Sequence, residues 1–471
     1  MTGQVAKRSP LPWWQLTIVY AIQLAEPITG TVIYPFLPEF VRKTGITEGD
    51  DAKTGYYSGI IGSVFFAAEC LTVYHWGRAS DVYGRRPVLL LGPLGLAFAM
   101  LFFGLTSNFW LLVFLRAMQG VFNGNLGVAK TIVAELSDST NIGDAFAVMP
   151  LVWGLGNAVG PVMGGLLADP AKRWPDSLGK LSVLHDYPYL LPCGTAAIFA
   201  FIIFLSATVS LKETHPTLKV RSGKINNLPT ERTGLLDGVD VTTSSSSPNE
   251  HAVTAPPTVW EVLNPGVISC IINNCACSFV GMGFTVLMPL MWSTSIPLGG
   301  LGFSPDKIGA ILATYGFINS SLQVLFLGRV LRRFGPRRVY IGSMVSMFVG
   351  SLAFAAQSTV ARHAGHVTPL VWALIAIHLA ATVAIYAAIG AIQVAVVQNV
   401  TSSSALGATN GLMQMAGSGI RGLSPWLCSA MFSATIERDL AGGFLVYIVM
   451  STLLLVSIGL GTLIPKDKAV E

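Results

Sequence analysis

The chain of 471 residues is 52% hydrophobic, only 11% charged, and has a mean hydropathy of +0.61. Soluble domains carry about 25% charged residues, so a water-soluble enzyme built on one oversized core is excluded. The net charge of +5 is scattered over short loops rather than gathered on one face, which excludes a nucleic-acid binder.

The apolar residues come in blocks of about 20, the length of a helix that crosses roughly 30 Å of hydrocarbon. Twelve spans are predicted, at 14–38, 55–76, 87–106, 108–131, 145–168, 188–210, 262–290, 306–327, 338–357, 369–397, 407–433 and 442–464. Trp13, Trp14, Trp76, Trp110, Trp260 and Trp372 fall near span ends, where amphipathic rings prefer the membrane interface. With the N-terminus inside, 17 Lys and Arg lie in cytoplasmic segments and nine in outer loops, so both termini are expected in the cytoplasm.

Residues 212–258 form the one long polar stretch, with Ser244–Ser247, Pro248, Pro256 and Pro257. Such a composition buries too little apolar surface to offset the entropy of ordering, so a flexible cytoplasmic linker is expected. The fold class that follows is all-α: a polytopic membrane protein whose twelve transmembrane helices form two six-helix bundles, at 1–211 and 259–471. The six cysteines lie in or beside apolar runs with no C-x-x-C spacing, and read as small buried hydrophobes. No metal and no cofactor is expected, and the lipid bilayer is the expected surrounding.

The halves echo one another. Gly77-Arg78-Ala79-Ser80-Asp81-Val82-Tyr83-Gly84-Arg85-Arg86-Pro87 follows span 2, and a weaker copy at 328–338, with Arg332 in the place of Asp81, follows span 8. Gly77 and Gly84 are expected to let the flanking helices approach and turn, while Arg85 and Arg86 hold the turn on the basic side. Span 5 carries Gly160-Pro161 and span 11 carries Ser424-Pro425, and paired helix breakers point to a carrier built from internal repeats.

Ionisable residues inside spans are the candidates for function, because each is costly in hydrocarbon unless it faces a partner or a wet cavity. Glu26, in Ala25-Glu26-Pro27, sits mid-span with no neighbour to neutralise it. Burial in low dielectric disfavours the charged form of a carboxylate, the property required of a proton carrier, and Glu26 is the first choice for proton coupling. Glu69 is the alternative, or else a structural partner of the Gly77–Pro87 loop. Arg116 lies roughly 12 Å into span 4 and faces a cavity, meets a partner, or snorkels to the surface. Arg421 lies roughly 21 Å into span 11, with Gln414 and Asn410 on one side, suited to an anion or to Glu26. His378 in span 10 reads equally as a packing residue or a site.

These motifs resemble the major facilitator superfamily of transporters. The Gly-x-x-x-Asp-x-x-Gly-Arg-Arg loop is similar to that family's loop between helices 2 and 3, which latches the halves in one state. The resemblance makes Asp81 the latch acceptor and Arg85 its partner, with Gly77, Gly84 and Arg86 completing the motif. Arg116-Ala117-Met118-Gln119-Gly120 resembles the helix 4 motif, whose arginine is linked with proton movement. Gly156, Gly160, Pro161, Gly164 and Gly165 resemble the helix 5 motif of the drug:proton antiporter branch. Family members line a central cavity with helices 1, 4, 7 and 10, which nominates Glu26, Arg116, Asn123, Asn273, Asn274, His378 and Tyr386, with Arg421 added from span 11.

More narrowly, AEPITGTVIYPFLPEFV, WGRASDVYGRRP, GNAVGPVMGGLLADP, YPYLLPC and the Lys212-Glu213-Thr214-His215 element resemble fungal relatives of the zinc-induced facilitator-like group. The resemblance implies a proton-coupled antiporter that exports a drug or secondary metabolite by alternating access. It implies protons and a small molecule as partners, a monomer, and the plasma membrane rather than the vacuole. A carrier of metal-chelate or organic ions, and a non-transporting membrane sensor of the same fold, stay open as alternatives. An embedded enzyme is not expected, for no H-E-x-x-H or G-x-S-x-G cluster occurs.

Overall fold

The structure is a computed structural model that describes residues 10–137, 141–215, 263–400 and 403–465. Nearly all of the expected linker, together with Lys7, Arg8, Trp260, Lys466 and Lys468, lies outside the described residues.

Each predicted span overlaps one helical element: α1 (Trp13–Thr31), α2 (Thr54–Tyr83), α3 (Arg85–Gly104), α4 (in two pieces, Phe109–Asn123 and Leu126–Glu135), α5 (Ile142–Leu167), α6 (Leu190–Ser210), α7 (Pro265–Ser293), α8 (Pro305–Phe334), α9 (Pro336–Ala364), α10 (Pro369–Asn399), α11 (Ser403–Glu437) and α12 (Leu445–Gly461). Six of these, α2, α3, α6, α7, α9 and α10, are long and apolar enough in their own right to cross a membrane. The segments α1, α4 and α11 are diluted by Gln, Asn, Ser, Gly and charged residues. Such residues are tolerated where another helix or a wet cavity, rather than lipid, lies alongside.

The two halves are built alike. In the first, α1 packs on α5 and α6, α3 on α6, and α2 on α4; in the second, α7 packs on α11 and α12, α9 on α12, and α8 on α10. The halves meet along two seams, α2 against α11 and α5 against α8, which exchange when the halves are exchanged.

Small residues make both seams. Gly165 of α5 lies against Gly309 of α8, and a Cβ added at Gly309 would come within 2.9 Å of the Pro161 carbonyl oxygen. Correspondingly, a Cβ at Gly59 of α2 would come within 3.0 Å of the Pro425 carbonyl oxygen of α11. The two Gly/Ser-Pro elements thus occupy matching places. Other α5 glycines serve α1: added side chains at Gly156, Gly160 and Gly164 would strike Pro27, Thr31 and the Val32 carbonyl. The helix 5 motif therefore presents one glycine row to its own half and another to the partner half, as close backbone packing in lipid demands.

At the end where α2 turns into α3, a single residue makes the turn. Gly84 has φ 101 and ψ 158, and Gly335, between α8 and α9, has φ 75 and ψ 157; a Cβ is penalised at such φ values. Most of the expected loop is instead helical, and Gly77 sits inside α2 with open space around it. Gly84 alone carries the turning role. At the opposite face the chain adds the short helices Leu37–Lys43, Pro170–Arg173 and Ser182–Asp186. There Lys172 and Lys43 reach the Asp169 carboxylate at 2.7 and 3.1 Å. Partial burial opposes ionisation of Asp169, but the two ammonium groups outweigh it and hold its pKa below the ordinary value.

Candidate functional site

Both seams are tight toward the face opposite the Gly84 turn. Tyr56 there donates to Glu437 Oε2 at 3.1 Å, and the Trp426 amide donates to Ser63 Oγ at 2.8 Å, each joining α2 to α11. Past Gly154, which approaches Ser320, and Ala67, which approaches Gly422, the halves part. Between them lies a cavity of about 400 Å³, whose lining runs from Met288 and Tyr315 to Phe146, Gln393 and Gln414 on the side of the Gly84 and Gly335 turns.

The second half supplies most of its wall: Asn274 and Thr285 from α7, Tyr315 from α8, Thr382 and Tyr386 from α10, and Gln414 and Arg421 from α11. The first half adds Phe146, Trp153 and Lys130. Arg421 donates to Ser418 Oγ at 2.8 Å and lies 5.6 Å over the Phe66 ring. Among the described residues the lining holds two cations, Lys130 and Arg421, several aromatic rings and amides, and no carboxylate.

The carboxylates stand just behind that wall. Glu26 of α1 and Glu69 of α2 are within electrostatic reach of each other, of Lys130 and of Arg421. Asn123 donates to Glu69 Oε2 at 3.2 Å, whereas Glu26 Oε2 is enclosed with no hydrogen-bond partner among the described residues. Glu26 also adjoins a pocket of about 10 Å³ between α1, α3 and α4, lined by Gln23, Asn123 and Asn125, at the lower limit for one water.

The local sequence explains how these groups gather. The first piece of α4 ends at Asn123, and Gly124 is pressed against Trp76 and Thr72 where a side chain would not fit. Asn125 ties the break to α3 through the Leu89 carbonyl at 3.1 Å. The helix restarts at Leu126 and carries Lys130 to the cavity.

Of the residues nominated from sequence, Asn274, Tyr386 and Arg421 line the cavity, while Glu26 and Asn123 lie one layer behind. Three lie elsewhere. Arg116 is fully buried, donates to Gln119 Oε1 at 2.6 Å and to the Gly30 carbonyl at 3.0 Å, and stacks 4.3 Å over Phe65; it neither snorkels nor reaches the cavity wall. Asn273 bonds to the Ser269 and Leu460 carbonyls, tying α7 to α12. His378 bonds through Nδ1 to the Gly350 carbonyl at 2.8 Å and stacks on Phe354. The side chain of Asn410 lies outside the described residues.

The turn motif is also built, within its own half. Asp81 pairs with Arg85, and Arg85 reaches Glu135 Oε1 at 3.1 Å, with Arg86 on the Thr208 carbonyl. Glu213 accepts hydrogen bonds from the backbone amides of Arg85, Arg86, Thr214 and His215, at 2.9 to 3.1 Å. Glu69, about twelve residues or roughly 18 Å along α2 from Asp81, does not partner this loop; Glu135 takes that place.

Sequence reasoning missed Lys130, the pairing of Glu69 with Asn123, and the roles of Glu135 and Glu213. Asn123-Gly124-Asn125 was the available signal: a turn-forming triplet inside an apolar span marks a break, and the break decides where Lys130 points.

Comparison with known proteins agrees with this architecture. The chain is 27% identical to the Protein ZINC INDUCED FACILITATOR-LIKE 1 of Arabidopsis thaliana, over 95% of this chain and 90% of the relative. It is 26% identical to the Efflux pump azaK of Aspergillus niger, over 94% and 86%. A bacterial homologue of the human lysosomal transporter Spinster, in an inward-facing and occupied conformation, superposes with a TM-score of 0.68 at 14% identity, covering 97% of each chain. The family description Major Facilitator Superfamily matches residues 19–425. With two equivalent six-helix halves around a central cavity, the chain belongs to the Major Facilitator Superfamily and is a secondary transporter.

Proposed function

We propose that the chain is a proton-coupled exporter of a small organic molecule that works by alternating access, with Glu26 and Glu69 as the proton site. The observation that carries this reading is the adjacency of two carboxylates, the buried Glu69 and the partly buried Glu26, to the two cations of the cavity wall. A change of protonation alters the charge that Lys130 and Arg421 present to the cavity, and so ties cargo binding to proton binding. Seams made of small residues permit one half to rock on the other about α5 and α11. Export is the sense carried by the relative named an efflux pump and by the helix 5 resemblance. The excess of basic residues at the Gly84 and Gly335 turns supports a cytoplasmic setting for that face, with the cavity open inward, both termini cytoplasmic and residues 212–258 linking the halves. Both cavity walls come from one chain, so a monomer suffices, and export from the cell calls for the plasma membrane.

The test is efflux from vesicles with and without an imposed proton gradient, comparing wild type with Glu26→Gln and Glu69→Gln. The reading expects gradient-dependent flux that each substitution uncouples. Flux indifferent to the gradient removes the proton from the mechanism. Exchange of proton for cargo, as the helix 5 motif implies, requires the two to compete for the same charges; whether they do depends on the charge of the cargo.

A further inference from the structure

The charge layout of the cavity bears on what it accepts. From α4 and α11, Lys130 and Arg421 reach the wall, whereas among the described residues the nearest acids, Glu26 of α1 and Glu69 of α2, stand behind it. Arg421 is only partly buried and lines the cavity, so its guanidinium, held by one hydrogen bond to Ser418 Oγ at 2.8 Å, presents its charge to a ligand there. Around the two cations the wall is apolar and aromatic, with Phe284, Tyr315, Tyr386 and Trp153, and with amides from Asn274 and Gln414. At the wall itself a cationic cargo would meet like charge, with the carboxylates one layer back, and a neutral one would gain nothing from the two cations. We infer that the cargo is an amphipathic organic anion, its acidic group held between Lys130 and Arg421 and its rings on the aromatic wall, and that it binds together with a proton.

This inference rests on the proton-site reading above. Without cargo, the cluster balances two carboxylates against two cations. The groups facing the carboxylates are Lys130 and Asn123 from α4 and Arg421 from α11, while the α3 neighbours Leu89, Gly92 and Leu96 carry no charge. An incoming anion draws Arg421 and Lys130 toward itself and leaves Glu26 and Glu69 facing one another with less counter-charge. One proton from solution then forms an O–H bond on a carboxylate oxygen, shared across the pair. When the anion leaves, the cations return and that proton dissociates. Anion and proton thus occupy the site together as an electroneutral unit.

The test uses the full chain in lipid nanodiscs and two probes that differ by one sulfonate: 1-anilinonaphthalene-8-sulfonate and the neutral N-phenyl-1-naphthylamine. Calorimetry in two buffers of unlike ionisation enthalpy measures affinity and proton uptake together. The sulfonate is expected to bind at least about tenfold tighter than its neutral counterpart, with net proton uptake. Arg421→Gln and Lys130→Gln should each remove about tenfold of that preference, Arg421→Lys should restore most of it, and all should bind the neutral probe as wild type does. Equal affinity for the two probes, an equal loss for both in the Gln variants, or proton release on binding overturns the inference. A gradient-dependent exporter that nonetheless prefers the neutral probe overturns only the anion assignment. Anion preference that persists with no proton uptake, in a chain whose flux ignores the gradient, instead overturns the proton-site reading.

Discussion

Gly165 of α5 and Gly309 of α8 meet backbone to backbone at the seam between the halves, so close that a Cβ on either would overlap the other's Cα. Overpacking a tight contact costs about 1–3 kcal/mol. That is enough to change a two-state population about fivefold to over a hundredfold. Gly309→Val should therefore part the seam, populate the form open at the opposite face, and slow transport. Pulsed electron resonance between spin labels at the Tyr56 and Glu437 ends would read the separation, with an unchanged distance counting against the seam as the closed gate.

The Glu213 carboxylate gathers four backbone amides, two of them at the start of α3. Partial burial works against its charge, but the amides of His215, Arg86, Arg85 and Thr214 outweigh it, so its pKa lies below the ordinary value. A depressed carboxylate pKa contributes stability that is present above the unfolded value and lost as pH falls through the folded one. Glu213→Gln should thus lower the melting temperature at pH 6, a loss of roughly 1 kcal/mol. The gap to wild type should narrow below about pH 4.5. A gap that stays constant down to pH 3 would show that the charge is irrelevant.

Asp81 and Glu135 both hold Arg85, yet their side chains are 63% and 20% exposed. Solvent screens the first pair far more than the second. In this conformation Asp81→Asn should leave stability within about 0.5 kcal/mol of wild type, while Glu135→Gln costs about 1–2 kcal/mol. Chemical denaturation in detergent ranks the two, and the reverse order would contradict the assignment of Glu135 as the principal partner.

Arg116 is enclosed by Gln119, the Gly30 carbonyl and the Phe65 ring. Removing one partner of a buried charged network costs about 3–5 kcal/mol. Arg116→Leu instead removes the cation and strands the groups that receive it, so folded yield should fall by at least tenfold. Cargo affinity of the surviving fraction should be unchanged, since Arg116 does not line the cavity. An altered affinity at full yield would return Arg116 to the transport path.

The twelve spans, their division into like halves and the matching Gly-Pro and Ser-Pro elements were legible because hydrophobic length and helix breakers are local properties of the chain. The cavity was legible only in part. Tyr386, Asn274 and Arg421 stood out as polar groups in apolar spans, but so did Arg116, Asn273 and His378, which satisfy carbonyls or stack on rings from distant helices. Polarity in a span announces that a partner exists without saying whether the partner is protein or cargo. Glu69 stayed ambiguous for a related reason: the distance between its level in α2 and that of Asp81 is easily read, but the amide that meets it comes from α4 beside a break. Glu135 looks like an ordinary terminal acid, and Glu213 stands out only as part of a motif with no stated contact, until the fold brings them onto Arg85.

The break in α4 has a mechanical consequence. Leu126–Glu135 is a short stiff rod, detached from the hydrogen-bond ladder of the preceding piece. Near its middle it bears the Lys130 ammonium, and at its tip, five residues or roughly 7.5 Å on, it bears Glu135, which is moored to Arg85 and Thr214. Any tug on the surface turn is delivered along this lever to a charge inside the cavity, so what happens at the rim is felt where cargo sits.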